Sequence, residues 1–309
     1  MEDKFEDKFE DKFEEIYKEV YDKANEILVE ARKNKNRHII NVFSIYLIIT
    51  ILTKIICKEN LYFYMTIVIF IITIVIVLMV ENKKYSKIFK KNVIELLVKK
   101  CNSKLNFDPK GFMSSEEYKK SKFDTKFNKF YSEDKIFGKI SKDANFQMGQ
   151  VVTKEEKVYK DNDGNEETET IETFRGMFGV VSLKKSSGVK IYISPNSTTK
   201  KFSKDRIEMD SSEFEQAYDC LTKDRIEAMK IFTADLLELF VNLKKGKFKN
   251  FQFKIEDEKI YFRCDCREMF EPPKIKDALD KEIIKKYYNM IFYPVKIVEK
   301  TIENINNML

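Results

Sequence analysis

Two cysteines, Cys264 and Cys266, are separated by one residue in the sequence CDC, a spacing that could serve a metal site. Two thiolates on one side of a strand could bind a soft metal ion. The same alternation places both side chains on the strand face that carries Ile260 and Phe262. Because no histidine and no further cysteine pair lies nearby in the sequence, the pattern favours buried structural cysteines, and we expect no metal and no cofactor.

Other catalytic arrangements are restricted by residue type. His38 is the only histidine, so a Ser-His-Asp or Cys-His arrangement later in the chain would need a partner chain. The sequence contains no Gly-x-x-x-x-Gly-Lys phosphate loop. DNDGNEE, residues 161–167, lacks the twelfth-position carboxylate of a calcium loop and is predicted as a hairpin tip. GMFG, residues 176–179, lies within a predicted strand and indicates a close backbone approach.

Two apolar runs, residues 39–57 and 61–80, stand in the first third of the chain. A bilayer core about 30 Å thick needs roughly 20 helical residues. Lys54, near the end of the first run, is the one charged residue in either run. Since the polar residues KEN at 58–60 separate the runs, we predict a transmembrane helical hairpin over 39–80. A buried helix pair of a soluble protein is the alternative, but such helices seldom stay apolar on all faces.

Basic residues flank the two runs on the side away from the connecting turn. The positive-inside rule then predicts a multi-pass protein with two spans and both termini in the cytoplasm. The lipid bilayer is therefore an expected partner. The net charge of +6 is modest and no nucleic-acid-binding module accompanies it, so no nucleic-acid partner is expected. The flanking basic residues are Arg32, Lys33, Lys35, Arg37, Lys83, Lys84, Lys87, Lys90 and Lys91.

Residues 1–38 are predicted as an acidic amphipathic helix followed by a basic juxtamembrane segment. The helix begins with the repeat EDKFEDKFEDKF. Apolar residues then recur in alternating steps of four and three, a heptad spacing that suits packing against another helix. A marginal, solvated helix is the alternative for the repeat itself. The residues of this stripe are Phe13, Tyr17, Val20, Ala24, Ile27 and Ala31.

The remainder of the chain is predicted as α+β. Residues 81–130 form a helical stalk and connector, in which Ser114 and Glu117 resemble a capping box. Residues 131–272 form a cytoplasmic domain with a mainly antiparallel sheet, because predicted strands follow one another without helices between them. Within that domain, residues 214–246 are predicted to be helical and to supply the central buried helix.

The chain ends with an amphipathic helix within residues 273–309. Its apolar residues step by four and three, which is typical of a helix that pairs with another. Pro294 is expected to bend it. Packing on its own domain is the alternative to self-association through the two terminal helices. The candidate seam is Ile284, Tyr288, Ile291, Val295, Val298, Ile302 and Ile305.

Four segments carry a resemblance to a known family: FDPKG, FRGMFGVV, the block from MDSSEFEQAYDCL to TADLLELF, and MFEP. Over roughly residues 80–275 the chain resembles the bacterial membrane-protein family catalogued as domain of unknown function 3137. The resemblance implies the inner (plasma) membrane of a bacterium. It also implies genes that often stand beside those of LemA-type membrane proteins. It carries over no catalytic residue.

Two functions remain. The first is a membrane-anchored cytoplasmic interaction or scaffolding module, which acts with other membrane proteins and is not an enzyme. The alternative is an inner-leaflet enzyme that acts on a lipid or small molecule through Asp, Glu, Lys or Tyr. The absence of the usual catalytic motifs favours the first. The sequence does not identify the partner, the ligand or the physiological role.

Overall fold

The computed structural model of the chain describes residues 2–56, 60–123, 126–160, 166–197, 203–246, 248–267, 269–273 and 279–308, apart from the side chains of residues 2–8 and 160. The chain divides into two compact units. The first comprises Met1–Leu96 with Glu271–Ile284, and the second comprises Leu97–Phe270 with Lys285–Leu309.

The first unit is built on an antiparallel pair of long helices, α1 (Glu2–Ile56) and α2 (Asn60–Phe89). Tyr46 of α1 stacks on Phe70 with ring centroids 5.8 Å apart. Nearer the other end, Lys35 donates a hydrogen bond to Asn82 at 2.9 Å. Lower residue numbers in α1 pair with higher residue numbers in α2, so the two helices are antiparallel and the chain reverses direction as predicted. The connecting residues 57–59, with Lys58 and Glu59, lie outside the described residues.

The buried stripe of α1 differs from the predicted heptad. Phe13, Val20 and Ala24 are buried as expected, but Ile27 is 44% exposed. Successive buried positions are mostly four residues apart, and each step of four advances by about 400° around a helix. The stripe therefore slants around α1 along an i+4 ridge, whereas a heptad seam would be straighter. The buried residues are Phe9, Phe13, Ile16, Val20, Ala24 and Leu28.

Helix α2 continues through a π-helical turn, Lys90–Ile94, into α3 (Glu95–Cys101), as the predicted stalk requires. The segment 271–284 contacts this unit at both of its ends. Glu271 accepts hydrogen bonds from Ser86 at 2.8 Å and from Lys90 at 2.5 Å. Leu279 accepts one from the Tyr17 hydroxyl at 2.9 Å. Residues far apart in the sequence thus contact one another within this unit.

The second unit contains a sheet in which nine described strands are all antiparallel, which confirms the predicted class. Their order is β1-β2-β3-β4-β9-β8-β5-β7-β6. The strands are β1 (Leu105–Asp108), β2 (Lys129–Ser141), β3 (Ala144–Lys160), β4 (Glu166–Leu183), β5 (Lys190–Pro195), β6 (Arg206–Ile207), β7 (Tyr218–Thr222), β8 (Lys249–Glu256) and β9 (Lys259–Asp265).

Five helices accompany the sheet: α4 (Ser115–Ser121), α5 (Ser212–Ala217), α6 (Arg225–Ile231), α7 (Ala234–Lys245) and α8 (Lys281–Met308). Helix α7 is the predicted central helix. Phe240 on α7 is fully buried and its ring packs edge-on against those of Phe251 and Phe253 of β8. Asn304 of α8 donates to the Ile231 carbonyl at 2.7 Å and so joins α8 to the end of α6.

The opposite face of the sheet carries a smaller aromatic core beneath α4. Tyr118 is fully buried and meets the ring of Phe178 at 4.9 Å. Ser114 caps α4 as predicted, because its hydroxyl accepts the Glu117 amide. Arg263 of β9 donates to the Tyr118 hydroxyl at 3.2 Å. Each face of the sheet therefore carries a buried core over part of its area.

Residues 214–246 are not continuously helical, contrary to expectation. Strand β7 interrupts them and pairs with β5 and β6. The helix that follows begins after Asp224, while Thr233 is the N-cap of α7. No glycine or proline separates α5 from β7, so the sequence offered no punctuation there.

Candidate functional site

The apolar stretches of α1 and α2 are exposed. In the most apolar 18-residue window of each helix, 6% of residues are buried in α1 and 0% in α2. A core helix of a soluble domain would be mostly buried. Both helices are long and apolar enough to span a membrane. The exposed apolar residues include Ile40, Phe43, Ile45, Leu47, Ile48, Ile51 and Leu52 of α1 and Val68, Ile69, Ile71, Ile72, Val75, Ile76 and Met79 of α2.

A polar cluster joins the two helices where the apolar stretches end. The buried Glu81 carboxylate accepts a hydrogen bond from Lys84 at 2.6 Å and lies 3.0 Å from Nδ1 of His38. The hydrogen bond from Lys84 has the largest effect on Glu81; together with His38 it outweighs burial and lowers the carboxyl pKa. A carboxylate held in this way fixes the register of α1 against α2 at this level.

The predicted basic flank is divided between these two helices and the π-helical turn. Most of its side chains are exposed, so they form a basic collar around the end of the apolar stretches. Lys90 differs, because it is 5% exposed and pairs with Glu271. Lys35 donates to Asn82 and also lies 5.1 Å from the centre of the Tyr85 ring. Lys35, Lys90 and the exposed Lys84, which donates to Glu81, therefore bind within the unit. The other basic side chains of the flank face solvent wholly or in part.

A groove of about 620 Å³ runs between α1 and α2 through this collar. We call it the collar groove. The exposed Ile27, which the heptad pattern placed in a buried seam, contributes to its apolar lining. The lining residues are Ile27, Glu30, Ala31 and Asn34 of α1, Lys84, Lys87 and Ile88 of α2, and Lys91 and Asn92 of the π-helical turn.

The candidate seam of α8 is buried within the single chain. Tyr288, Val295 and Val298 have no exposed surface, and Ile302 and Ile305 are 4% and 3% exposed. Ile284 and Ile291 are also fully buried. The seam is therefore covered without a second copy of the chain. Self-association through the terminal helices stays a prediction.

Cys264 lies on β9 and is buried as predicted, whereas Cys266 follows the last residue of the strand and is only partly buried. Cys264 is 1% exposed, and burial raises its thiol pKa well above the ordinary value. Burial likewise raises the pKa of Cys266 to about 12. These raised pKa values disfavour the free thiolate that a nucleophilic cysteine requires. In the part of the chain that the structure describes, no three His, Cys, Asp or Glu residues group as metal ligands.

The glycines of GMFG admit close neighbours, as predicted. Gly179 lies opposite Phe262 on β9, and a Cβ atom there would stand 2.0 Å from the phenyl ring. At Gly176 a Cβ atom would stand 2.1 Å from the carbonyl oxygen of Cys264. These positions serve packing between β4 and β9.

An ion-pair cluster that sequence reasoning missed fastens β6 to β7. Arg206 donates from Nε to the fully buried Asp219 at 3.0 Å and from a terminal nitrogen to Glu215. The other oxygens of these carboxylates accept the amides of Ser197 and Met209. The hydrogen bond to Asp219 has the largest effect on Arg206; together with Glu215 it outweighs burial and raises the guanidinium pKa. The acidic residues belong to the EFEQAYDC segment of the family resemblance, so that segment has a structural role here.

A second cleft, of about 520 Å³, lies between the middle of β4 and the C-terminal end of β9. Arg175 donates two hydrogen bonds to the Glu172 carboxylate, at 2.9 and 2.5 Å. Four basic and two acidic side chains give the cleft an excess of positive charge, which suits an anion. Its lining is Glu172, Thr173, Phe174, Arg175, Lys249, Asp265, Cys266, Arg267 and Lys286.

Strands β3 and β4 extend beyond the rest of the sheet. Among the strands that the structure describes, residues 157–160 and 166–169 pair only with each other, since β2 pairs with β3 up to Lys154 and β9 meets β4 from Gly176. We call these residues the arm. Val158 and Tyr159 are 60% and 48% exposed. The tip, at residues 161–165, lies outside the described residues.

Residues 172–301 match the family described as "Protein of unknown function (DUF3137)". The match confirms the resemblance found in the sequence. It begins and ends later than the predicted 80–275, so FDPKG and the apolar helices lie outside it, while most of α8 lies inside. It includes every residue that lines the second cleft. No curated protein and no solved structure matches the chain.

Proposed function

We propose that the protein is a membrane-anchored interaction module of the bacterial plasma membrane, with two spans and a cytoplasmic sheet domain. The observation that carries the proposal is the exposure of apolar side chains around α1 and α2. An exposed apolar surface of this extent is unfavourable in water. A bilayer removes that surface from water, and both helices are long enough to cross its apolar core.

The collar supports the orientation. Arg32, Lys33 and Arg37 precede the first apolar run and Lys83 follows the second, whereas in the described residues beside the turn the basic side chain is Lys54. Lys54 donates to Asn60 at 2.8 Å and its long stem can reach an interface. The charge difference favours a cytoplasmic collar.

The arm supports an interaction role. It carries exposed apolar side chains, and its two strands expose backbone edges that a partner can extend. Between residues 157 and 169 the sequence has two lysines and five acidic residues. The arm therefore suits a partner with a basic surface.

Alkaline carbonate extraction of membranes tests the anchor. The full chain is expected to stay in the pellet, because apolar spans are held by burial in lipid and not by charge. Release of the chain into the supernatant would contradict the anchor.

Photocrosslinking in native membranes tests the interaction. A photoreactive residue at Tyr159 is expected to capture another protein chain, while the same residue at Phe112, which is 70% exposed outside the arm, should not. Recovery of only lipid or small molecules from both positions would contradict the interaction role.

A further inference from the structure

We propose that the collar groove binds the headgroup of an anionic phospholipid. This inference rests on the proposed membrane anchor and assigns a ligand to the helix pair. Three features support it: the charge of the lining, its apolar part, and its depth relative to the apolar stretches.

The lining has an excess of positive charge. Lys84, Lys87 and Lys91 face the groove together with one acidic residue, Glu30. The spacing of three and four residues places these lysines on one face of the helix. Lys84 is held by Glu81 at 2.6 Å. In the described part of the chain, neither Lys87 nor Lys91 has a hydrogen bond or an ion pair. Two ammonium groups are thus left for a phosphate.

The rest of the lining suits a lipid better than a free anion. Ile27, Ala31 and Ile88 supply apolar surface beside the lysines. A phospholipid headgroup joins its phosphate to carbon-bearing groups such as glycerol, so it can use both kinds of surface. Inorganic phosphate would use only the charges.

The end of the groove nearest the apolar stretches lies at the depth of lipid headgroups. Lys84, Lys87 and Lys91 follow Val80, the last residue of the second apolar run, by four, seven and eleven residues, or about 6, 10 and 16 Å along the helix axis. The headgroup layer on each side of a bilayer is about 5–8 Å thick. Side chains on a helix incline toward its N-terminus. In the proposed arrangement the N-terminal part of α2 lies in the bilayer. The lysine side chains beyond its apolar run therefore incline back toward the headgroups.

Lipid titration of the full chain in detergent tests the proposal. The probes are phosphatidylglycerol and, as a zwitterionic reference, phosphatidylcholine, each added to micelles at a few molecules per micelle and counted by native mass spectrometry. So few lipids form no charged surface, which removes diffuse attraction to the collar as a whole. We expect one phosphatidylglycerol per chain to bind in preference to phosphatidylcholine.

Two triple variants separate the groove from the collar. The groove variant is Lys84→Gln, Lys87→Gln, Lys91→Gln, and the control is Lys33→Gln, Arg37→Gln, Lys83→Gln, which removes equal charge outside the groove. We expect the groove variant to bind phosphatidylglycerol roughly tenfold more weakly or worse. The control should change by less than about twofold.

Three outcomes would overturn the inference: equal losses in both variants, no preference for phosphatidylglycerol in the unmodified chain, or displacement of the lipid by inorganic phosphate at equal concentration. Carbonate extraction of the same variants distinguishes this failure from that of the anchor. A groove variant that stays in the membrane pellet but keeps full lipid binding contradicts the site and leaves the anchor intact.

Discussion

Single side chains fix the contact between β4 and β9. Gly179 faces the fully buried Phe262, and Gly176 faces the backbone of Cys264. The sequence predicted these close approaches because a glycine inside a strand often marks a site where another part of the chain comes near the backbone. It also predicted the burial of Cys264, since free cysteine packs as a small apolar residue.

Gly179→Ala should destabilise the sheet domain by about 1–3 kcal/mol, because the added methyl overlaps the Phe262 ring. Thermal melting of the full chain in detergent measures the effect. Gly188→Ala is the matched control, since nothing lies within 4 Å of its Cβ position and only its φ of +70° opposes alanine. Phe262→Leu in the Gly179→Ala background should restore part of the loss; if it adds to the loss, the overlap is not the cause.

Glu81→Gln should weaken the packing of α1 on α2 at neutral pH. The folded chain lowers the Glu81 pKa, so its stabilisation is present above the unfolded-state pKa, about 4.3. The stabilisation is lost as the pH falls through the still lower folded-state pKa. Melting curves of both proteins should therefore differ at pH 7 and converge in acid. A difference that is independent of pH would show that the charge is not responsible.

The Arg206 cluster could not be predicted from the sequence. Asp219 and Glu215 look like ordinary members of a charged chain, since 35% of residues are charged. Their role depends on β7 and β6 lying side by side, and the pairing of short strands leaves little trace in the sequence.

Elements were predicted well where their periodicity is long and poorly where they are short. The apolar helices, the long strands and α8 each repeat a pattern over many residues. Strand β7 has five residues, too few to distinguish a period of two from one of 3.6. The stripe of α1 was placed correctly over Phe13, Val20 and Ala24 but drifted at Ile27, because its slant depends on the angle at which neighbouring helices cross.

The arm should depend on opposite charges across its two strands. Lys157 lies directly opposite Glu169, and at the base Lys154 lies opposite Glu172. Lys157→Glu should raise the rate of amide hydrogen exchange in the arm, since like charges facing each other cost up to about 1 kcal/mol. The double exchange Lys157→Glu, Glu169→Lys should restore protection. Slow exchange in the single variant would mean that backbone pairing alone holds the arm.

The buried seam of α8 changes the expected result of a charge in it. Val298→Asp places a carboxylate where no surface is exposed, so it should destabilise the sheet domain by more than about 4 kcal/mol. Asn306→Asp, at an exposed position of the same helix, should have little effect. Loss of particle mass in detergent without a lower melting temperature would instead support the predicted pairing between copies.

The chain as a whole combines an apolar helix pair with a sheet domain of a different composition. The sequence predicted this division because hydropathy differs sharply on the two sides of residue 81. The succession of strand patterns in the second unit predicted its class, but not the second cleft, whose lining residues come from distant parts of the chain.

The proposed topology can be measured on intact cells with a membrane-impermeant maleimide. With Cys57 replaced by Ser, a cysteine at Asn60 should react from outside and one at Val158 should not. Cys266, which is partly exposed, is replaced by Ser as well. The native Cys220 and Cys264 should give little background, because both are buried and burial raises their pKa values, to about 12 for Cys220. Labelling of Val158→Cys from outside, with Asn60→Cys protected, would reverse the orientation.

Helix α1 is unbroken from Glu2 to Ile56, so in a bilayer it acts as a lever. About 45 Å of helix separates Phe9 from the first apolar run at 1.5 Å per residue. Apolar spans respond to bilayer thickness by tilting. A change in tilt of about 10° would displace the far end of such a rod by about 8 Å. Lipid thickness at the anchor would thereby become movement well outside the membrane.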